Sequence, residues 1–455
     1  MKKLALLSAL LLLNACAAFT PQLGFQEVNE SVSSRTGKYL YWKTGNDADK
    51  TVDDALNLLL KEPLTPDSAT QIALLNNNNL QATYQHLGIA QADLVEAGLL
   101  PNFIFNGEIR FPKDGVNLEL SLVQNFIEIF QIPLRKKMAE SLFEEAKIEV
   151  VSKALSLSYN VRKAFYEYQG TEQLLEMSNT ALLALEASRD LARKLHMAGN
   201  ITDLDLAQEE VNYETLKIET SNLEEHVVQT KENVNALLGL SGQSLSWKID
   251  TRLSAPSAFN SDSTAVEEHA IANNLALAKI KQRFVTLTAK LSQAERFRLF
   301  GDSEIGASAA KEAGEGWGFG PAFSFPLQFF NQGQVAVFRV NAELARQHGL
   351  GLDLTNRIQS HVRSTLKQLK ITEGRLTTYR KTLLPLHTKL VSESQRQYNA
   401  MLLGAFQLLE AKHKQIMAGK DYIESLKNYW LLRTELESIL NGNIPSDLSV
   451  DTSEE

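Results

Sequence analysis

Hydrophobic and polar positions follow the same succession of periods in both halves of the chain. From Thr65 to about Gly98 the apolar residues recur at helical spacing. About thirty residues then alternate as strands do and end at Ile132-Pro133. A very long helical stretch follows, broken at Gly199-Asn200, and a return helix closes at Leu238-Gly239. The second half repeats the order, with a helix from about Thr264 to Phe297 and alternation ending at Phe325-Pro326. Its long helix breaks near Leu403-Gly404, and a return helix stops at Leu440-Asn441-Gly442. Units this long are not solenoid repeats, which run about 20 to 50 residues.

The alternating stretches predict hairpins. Phe103, Phe105, Ile109 and Phe111 share one face with Gly107, and Asn106, Glu108 and Arg110 share the other. After the turn Pro112-Lys113-Asp114-Gly115, Val116, Leu118, Leu120 and Leu122 face one way, and Asn117, Glu119 and Ser121 the other. In the second half, Phe300 to Ala310 leads into a loop around Gly314 and Gly316. Trp317, Phe319, Phe323 and Phe325 then alternate with Gly318, Gly320, Ala322 and Ser324. An aromatic face opposite a polar face suits a strand between lipid and water, and equally a half-buried hairpin of a soluble sheet. Four strands cannot close a barrel, which needs about eight. If the strands span a membrane, several copies must share one barrel.

The helices are too long for a globular domain, whose helices average about 11 to 12 residues. Leu134 to about Met197 holds no proline and one internal glycine, Gly170. Leu327 to about Tyr398 has a similar length, with Pro385 as the expected kink. Met138, Leu142, Ala146 and Val150 form an i, i+4 ladder that suits lateral packing against other helices. In each half, two shorter helices placed end to end match the long one in length.

Composition narrows the class. The 455 residues carry 46 basic and 54 acidic side chains, a formal charge of -8, which speaks against nucleic acid as a partner. Lys2-Lys3 followed by Leu4 to Leu13 has the form of a secretory signal peptide. The single cysteine, Cys16, stands directly behind it in Leu13-Asn14-Ala15-Cys16, which resembles the bacterial lipoprotein cleavage box, with Cys16 as the lipidated residue. The alternative is a free thiol. One cysteine excludes disulfides and CxxC chemistry within the chain.

The stretch Ala69-Thr70-Gln71-Ile72-Ala73-Leu74-Leu75-Asn76-Asn77-Asn78-Asn79-Leu80, with Glu96-Ala97-Gly98-Leu99-Leu100-Pro101-Asn102 after it, resembles the opening of TolC-like outer-membrane efflux proteins. His196-Met197-Ala198-Gly199-Asn200-Ile201-Thr202-Asp203-Leu204-Asp205-Leu206-Ala207-Gln208 is similar to that family's helical-hairpin turn, with His196 in place of the usual aromatic. The resemblance covers about Thr65 to Gly442. It implies a mainly α chain with β, contributing four transmembrane β-strands and long coiled helices in two structural repeats to a trimeric α/β-barrel duct. It also implies a homotrimer in the outer membrane of a Gram-negative bacterium, its helical tunnel in the periplasm. Substrates would pass from an inner-membrane pump and a periplasmic adaptor protein through this duct. The same duct could serve type I protein secretion, and a scaffold lipoprotein without a pore is the remaining alternative.

The expected organisation is a signal peptide over 1–15, a lipid-anchored segment over 16–64 and a first repeat over 65–245. The first repeat holds a hairpin at 102–132 and a tip at 197–203. A linker spans 246–263, and the second repeat, 264–442, has its hairpin at 299–326 and its tip at 399–406. Residues 443–455 form an acidic tail.

No catalytic triad, cofactor constellation, HExxH or clustered metal-ligand spacing stands out, so neither an enzyme nor a cofactor is expected. Gly314 to Gly320 misses the GxGxxG spacing and opens a strand. By the resemblance, the tips dock the adaptor through Gly199, Asn200, Ile201, Leu402, Leu403, Gly404 and Phe406. Plain turn chemistry is the alternative. Met401 stands where the second tip's motif has glycine, which predicts a turn moved to Gly404. Asp203 and Asp205 could ring a pore mouth as a gate, or simply complement a helix dipole. Met197 and Met401 near the tips are soft donors for Cu(I), but serve equally as sticky interface residues.

Overall fold

The computed structural model describes residues 19–20, 22–113, 115–257, 259, 263–301 and 303–443. The expected signal peptide, Cys16, Asp114 of the first turn and residues 444–455 of the acidic tail lie outside the described residues.

Helices α1 (Phe25–Thr36), α2 (Asp47–Lys61), α3 (Pro66–Asn76) and α4 (Asn78–Gly98) precede strands β1 (Ile104–Arg110) and β2 (Asn117–Asn125). The long α5 (Phe126–Met197) and its return α6 (Asp203–Leu238) follow. The second half has α7 (Ser263–Asn273), α8 (Leu275–Phe297), β3 (Glu304–Lys311) and β4 (Trp317–Ser324). It ends with α9 (Gln334–Thr378), α10 (Leu384–Asn399) and α11 (Ala405–Leu440). No described helix is long and apolar enough to cross a membrane. The chain divides into two compact units, one of Met1–Val28, Thr83–Val151 and Leu275–Thr355, the other of Asn29–Ala82, Ser152–Asn274 and Asn356–Glu455.

The first unit carries the sheet, a single antiparallel array in the order β1-β2-β3-β4. The expected hairpin end at Ile132-Pro133 is corrected: β2 stops at Asn125 and α5 begins at once at Phe126. The reason is a cap. The Asn125 side-chain oxygen accepts from the backbone of Ile127 at 3.1 Å and of Glu128 at 3.3 Å, serving helix N–H groups that have no partner of their own. Pro133 therefore lies inside the helix. The second junction differs as well. β4 ends at Ser324 and α9 starts only at Gln334, because Gly333 takes a positive φ of 76° that no helix continues through. At the amino-terminal side Phe25 packs edge-on to Tyr84 at 5.1 Å, and Lys147 of α5 pairs with Glu27 and Glu144.

The second unit has its core where Ile72 and Ala73 of α3, Val161 and Phe165 of α5, and Val234 and Leu238 of α6 are buried around Trp247. The Trp247 indole donates to Asn235 at 2.7 Å, as a buried indole N–H must find an acceptor.

The helix expected over Thr65 to Gly98 is two helices, and so is that over Thr264 to Phe297. The first is interrupted at Asn77, whose backbone is extended (ψ 116°). Its side chain donates to Leu237 O at 2.9 Å and accepts from Leu80 N at 3.0 Å. Asn76 beside it donates to Leu238 O at 3.1 Å and Gly239 O at 2.8 Å, satisfying the carbonyl end of α6. Gly239 is left-handed at φ 67°, and a Cβ there would stand 2.9 Å from Asn76 O.

The second joint, at Asn273 and Asn441, is closed differently. Arg35 of α1 donates to Asn273 O at 3.0 Å and to Asn441 O at 2.6 Å. One guanidinium thus serves the carboxyl ends of both α7 and α11, where a positive charge is favoured. Its burial lowers its pKa, but arginine stays charged.

Pro385 does not kink the second long helix in the expected way. Residues Tyr379–Leu383 form a single π-turn between α9 and α10, and Pro385 sits in the first turn of α10. Proline cannot donate to a carbonyl four residues back, and the wider turn removes that demand. On α9, Val362, Leu369 and Leu376 are buried at seven-residue spacing, whereas no residue of α10 is buried.

Candidate functional site

Register fixes the faces of the sheet. Phe105 lies opposite Leu122, Leu122 opposite Ala307 and Ala307 opposite Pro321. Ile109 faces Leu118, Ile305 faces Phe323, and Ala309 faces Phe319. Directly opposed residues point to the same side, so one continuous apolar face runs over all four strands. It is uncovered in the single chain: Phe105 is 68%, Phe319 82% and Phe323 70% exposed. Phe103 and Phe111 extend it beyond the ends of β1 and are also exposed.

The other face is polar or small. Asn106 faces Ser121, Ser121 faces Ser308 and Ser308 faces Gly320. Glu108 lies directly opposite Glu119, a repulsive arrangement. Arg110 offsets it, pairing with Glu108 at 2.7 Å and standing 4.0 Å from Glu119. β1 and β4 each have a neighbour on one side only, so their outer edges present unpaired backbone groups.

The two tips of the second unit share one backbone design. At the first, Gly199 N donates to His196 O at 2.8 Å and Asn200 N to Leu195 O at 2.9 Å. At the second, Met401 N donates to Tyr398 O at 3.0 Å and Leu402 N to Gln397 O at 2.9 Å. Each position recurs 202 residues later: Gly199 and Met401, Thr202 and Gly404, Asp205 and Gln407. The expected shift of the second turn to Gly404 is therefore corrected. Met401 keeps the left-handed turn, at φ 57°, and Gly404 is the extended N-cap of α11 (φ -76°). The capping pattern demands αL at that one position whatever residue occupies it. Its cost for a residue with a Cβ is about 1–2 kcal/mol.

Asp203 and Asp205 have separate environments. Asp205 closes a capping box with Thr202, accepting from its hydroxyl at 2.8 Å and its backbone N–H at 3.1 Å. The hydroxyl bond, followed by the backbone bond, lowers the Asp205 pKa. Asp203 Oδ1 accepts a hydrogen bond from His196 Nε2 at 2.6 Å across the turn. Tyr398 and Ala405 occupy those positions at the second tip, so it lacks the tether.

Met401 (94% exposed) and Leu402 crown the second tip, and Met197 and Leu204 the first. Ile201, Leu403 and Phe406 are only half-exposed. Leu204 is absent from the sequence-based set; its signal was an apolar residue between two aspartates, where a helix start has no core to face. Among the described residues no group of three His, Cys, Asp or Glu gathers as metal ligands.

No family model matches the chain, and no curated protein matches it in sequence. Solved structures do. The CmeC outer membrane channel of Campylobacter jejuni superposes with a TM-score of 0.68 at 12% identity, covering 92% of each chain. The open-state MtrE outer membrane channel of Neisseria gonorrhoeae gives 0.67 at 14% identity, over 84% of this chain and 90% of that one. CusC, described for transmembrane channel formation, gives 0.67 at 13% identity, over 83% and 92%. At such identity the shared property is the path of the backbone, and the chain has the TolC-like fold of outer-membrane channel proteins.

Proposed function

We propose that the chain is one subunit of a homotrimeric outer-membrane duct, the exit channel of a tripartite efflux system. The observation that carries this reading is the sheet, with one face aromatic and exposed, the other polar, and both edges unpaired. In lipid each unpaired backbone group costs several kcal/mol, so such a sheet is stable there only inside a closed barrel. Three copies supply twelve strands, enough to enclose a channel. The polar face lines water and the aromatic face meets lipid. A scaffold without a pore has no use for an uncovered aromatic face.

Transport energy and most specificity belong to the inner-membrane pump, with a periplasmic adaptor docking at the tips through Gly199, Asn200, Ile201, Leu402, Leu403, Gly404 and Phe406. The exposed Met197, Leu204, Met401 and Leu402 join that surface. Asp203 is the better gate candidate, since Asp205 is engaged in its cap. Cys16 anchors the chain by lipid.

Purified protein in planar bilayers should give stepwise single-channel conductance and run as a heat-resistant trimer. A soluble monomer without conductance after removal of the lipid would sink the proposal. Cys16→Ser should abolish incorporation of labelled palmitate; continued labelling refutes the anchor.

A further inference from the structure

The aromatic face of the sheet carries one cation. Lys311 lies opposite Leu118 of β2 and Trp317 of β4, and Leu118 lies opposite Ile109 of β1. These four form the last row of that face before the two turns. Among the paired residues of the face Lys311 is the sole charged one. It is exposed, and among the described residues no carboxylate pairs with it. Glu312 and Glu315 lie beyond the end of β3, in the turn that leads to β4.

The height of this row decides what the ammonium can meet. A charge on a lipid-facing strand is costly at the middle of a membrane and costs little at its border. Lys311 stands six residues along β3 from Ile305, about 20 Å. That carries it to the edge of an apolar band about 25 Å tall. Helices α4, α5, α8 and α9 all join the sheet at its other end, so the Lys311 row is the one farthest from them. Beside it the exposed Trp317 and Phe319 rings stack at 6.4 Å, and an indole suits the headgroup level of a bilayer. Ala313 N donates to Asn117 Oδ1 at 2.9 Å, which ties the second turn to the start of β2 and fixes the rim.

We propose that Lys311, with Trp317 beside it, is a contact site for the phosphate of an anionic membrane lipid at the outer rim of the sheet. The occupant follows from charge complementarity. An unpaired ammonium facing lipid, level with an indole, meets headgroup phosphates, and lysine binds phosphate as a point charge. The inference rests on the duct reading, which sets the aromatic face in lipid and the turns toward the outer leaflet.

The test is quenching of tryptophan fluorescence by lipids with brominated acyl chains, in the full chain reconstituted in phosphatidylcholine vesicles. Trp317 reports the site, because Trp42, Trp247 and Trp430 belong to the other unit, away from the sheet. Brominated phosphatidic acid should quench about fivefold more effectively than brominated phosphatidylcholine, the preference one lysine gives at an anionic surface. Lys311→Gln should abolish that preference and Lys311→Arg should keep it. Lys113→Gln, in the first turn, should also keep it; an equal loss there assigns the attraction to the rim as a whole and overturns the Lys311 contact. Inorganic phosphate exchanged for chloride at matched ionic strength should leave the preference intact. If it removes the preference, a free anion is the occupant and the lipid assignment falls. Equal quenching of the wild type by both lipids overturns the site and leaves the channel reading standing. Quenching by neither means that the sheet does not face lipid, which overturns both.

Discussion

Arg35→Ala removes the donor that closes the second helix joint. In the folded protein its guanidinium bonds Asn273 O at 3.0 Å and Asn441 O at 2.6 Å. A hydrogen bond from a charged group contributes about 1.5–3 kcal/mol. Both bonds come from one part-buried guanidinium, so the lower end applies to each, about 3 kcal/mol together. That is roughly a hundredfold in a local opening equilibrium. Local opening is the right observable, because a chain of this length with more than one compact unit does not unfold in two states.

The reporters are the backbone amides of Asn441, Gly442 and Asn443, which donate to Glu437, Ile439 and Ser438 at 3.0 Å each. Hydrogen exchange at these amides should accelerate about a hundredfold in Arg35→Ala and about tenfold in Arg35→Lys, whose single ammonium replaces one bond. The amides of Gly239 and Leu240, at the joint that Asn76 closes, should keep their rates. Unchanged exchange at residues 441–443, or equal acceleration at 239–240, refutes the assignment.

Met401→Gly should relieve the left-handed strain at the second tip by about 1 kcal/mol and slow exchange of the Leu402 amide about fivefold; faster exchange contradicts it. Asp205 has a folded pKa below its ordinary 3.8, so its cap is fully in force above that value and fades as pH falls through the lowered one. Asp205→Asn should flatten this acid dependence of first-tip protection, and an identical profile in the variant rules the cap out as its source. Gly306 admits no Cβ, which would overlap the Leu122 carbonyl, while Gly320 has open space around it. Gly306→Val should therefore abolish heat-resistant oligomers and conductance, and Gly320→Ala should preserve both; intact conductance in the Gly306 variant would contradict the strand pairing.

What could be read before folding depended on whether the signal was local. The faces of β1, β2 and β4 were legible because alternation is a property of neighbouring residues. β3 was not: Ala307, Ala309 and Ala310 give little contrast between its faces, and only pairing with Leu118 to Leu122 assigns them. The breaks at Asn77 and Asn274 were hidden because apolar spacing continues through them. At Asn77 the interruption is made by bonds to a carbonyl 160 residues away. Arg35 lies in a stretch without motif or periodicity, and its role exists only once two distant helix ends come together. The second tip was misread because a glycine rule outweighed a backbone pattern that Met401 also satisfies.

The π-turn at Tyr379–Leu383 has a consequence for how the chain distributes its apolar ladder. Val362, Leu369, Leu376, Leu383 and Leu390 form one unbroken seven-residue series in sequence. The first three are buried and the last two exposed. A π-turn acts as one extra residue in the helical winding, rotating everything beyond it by about 100°. The ladder thus changes sides partway along the helix, packing into its own fold before the turn and standing exposed after it. Deleting one residue within 379–383 would therefore remove the π-turn and leave Leu390 on its exposed side, whereas winding all five residues as plain α-helix would carry Leu390 round to the buried side that holds Leu369 and Leu376.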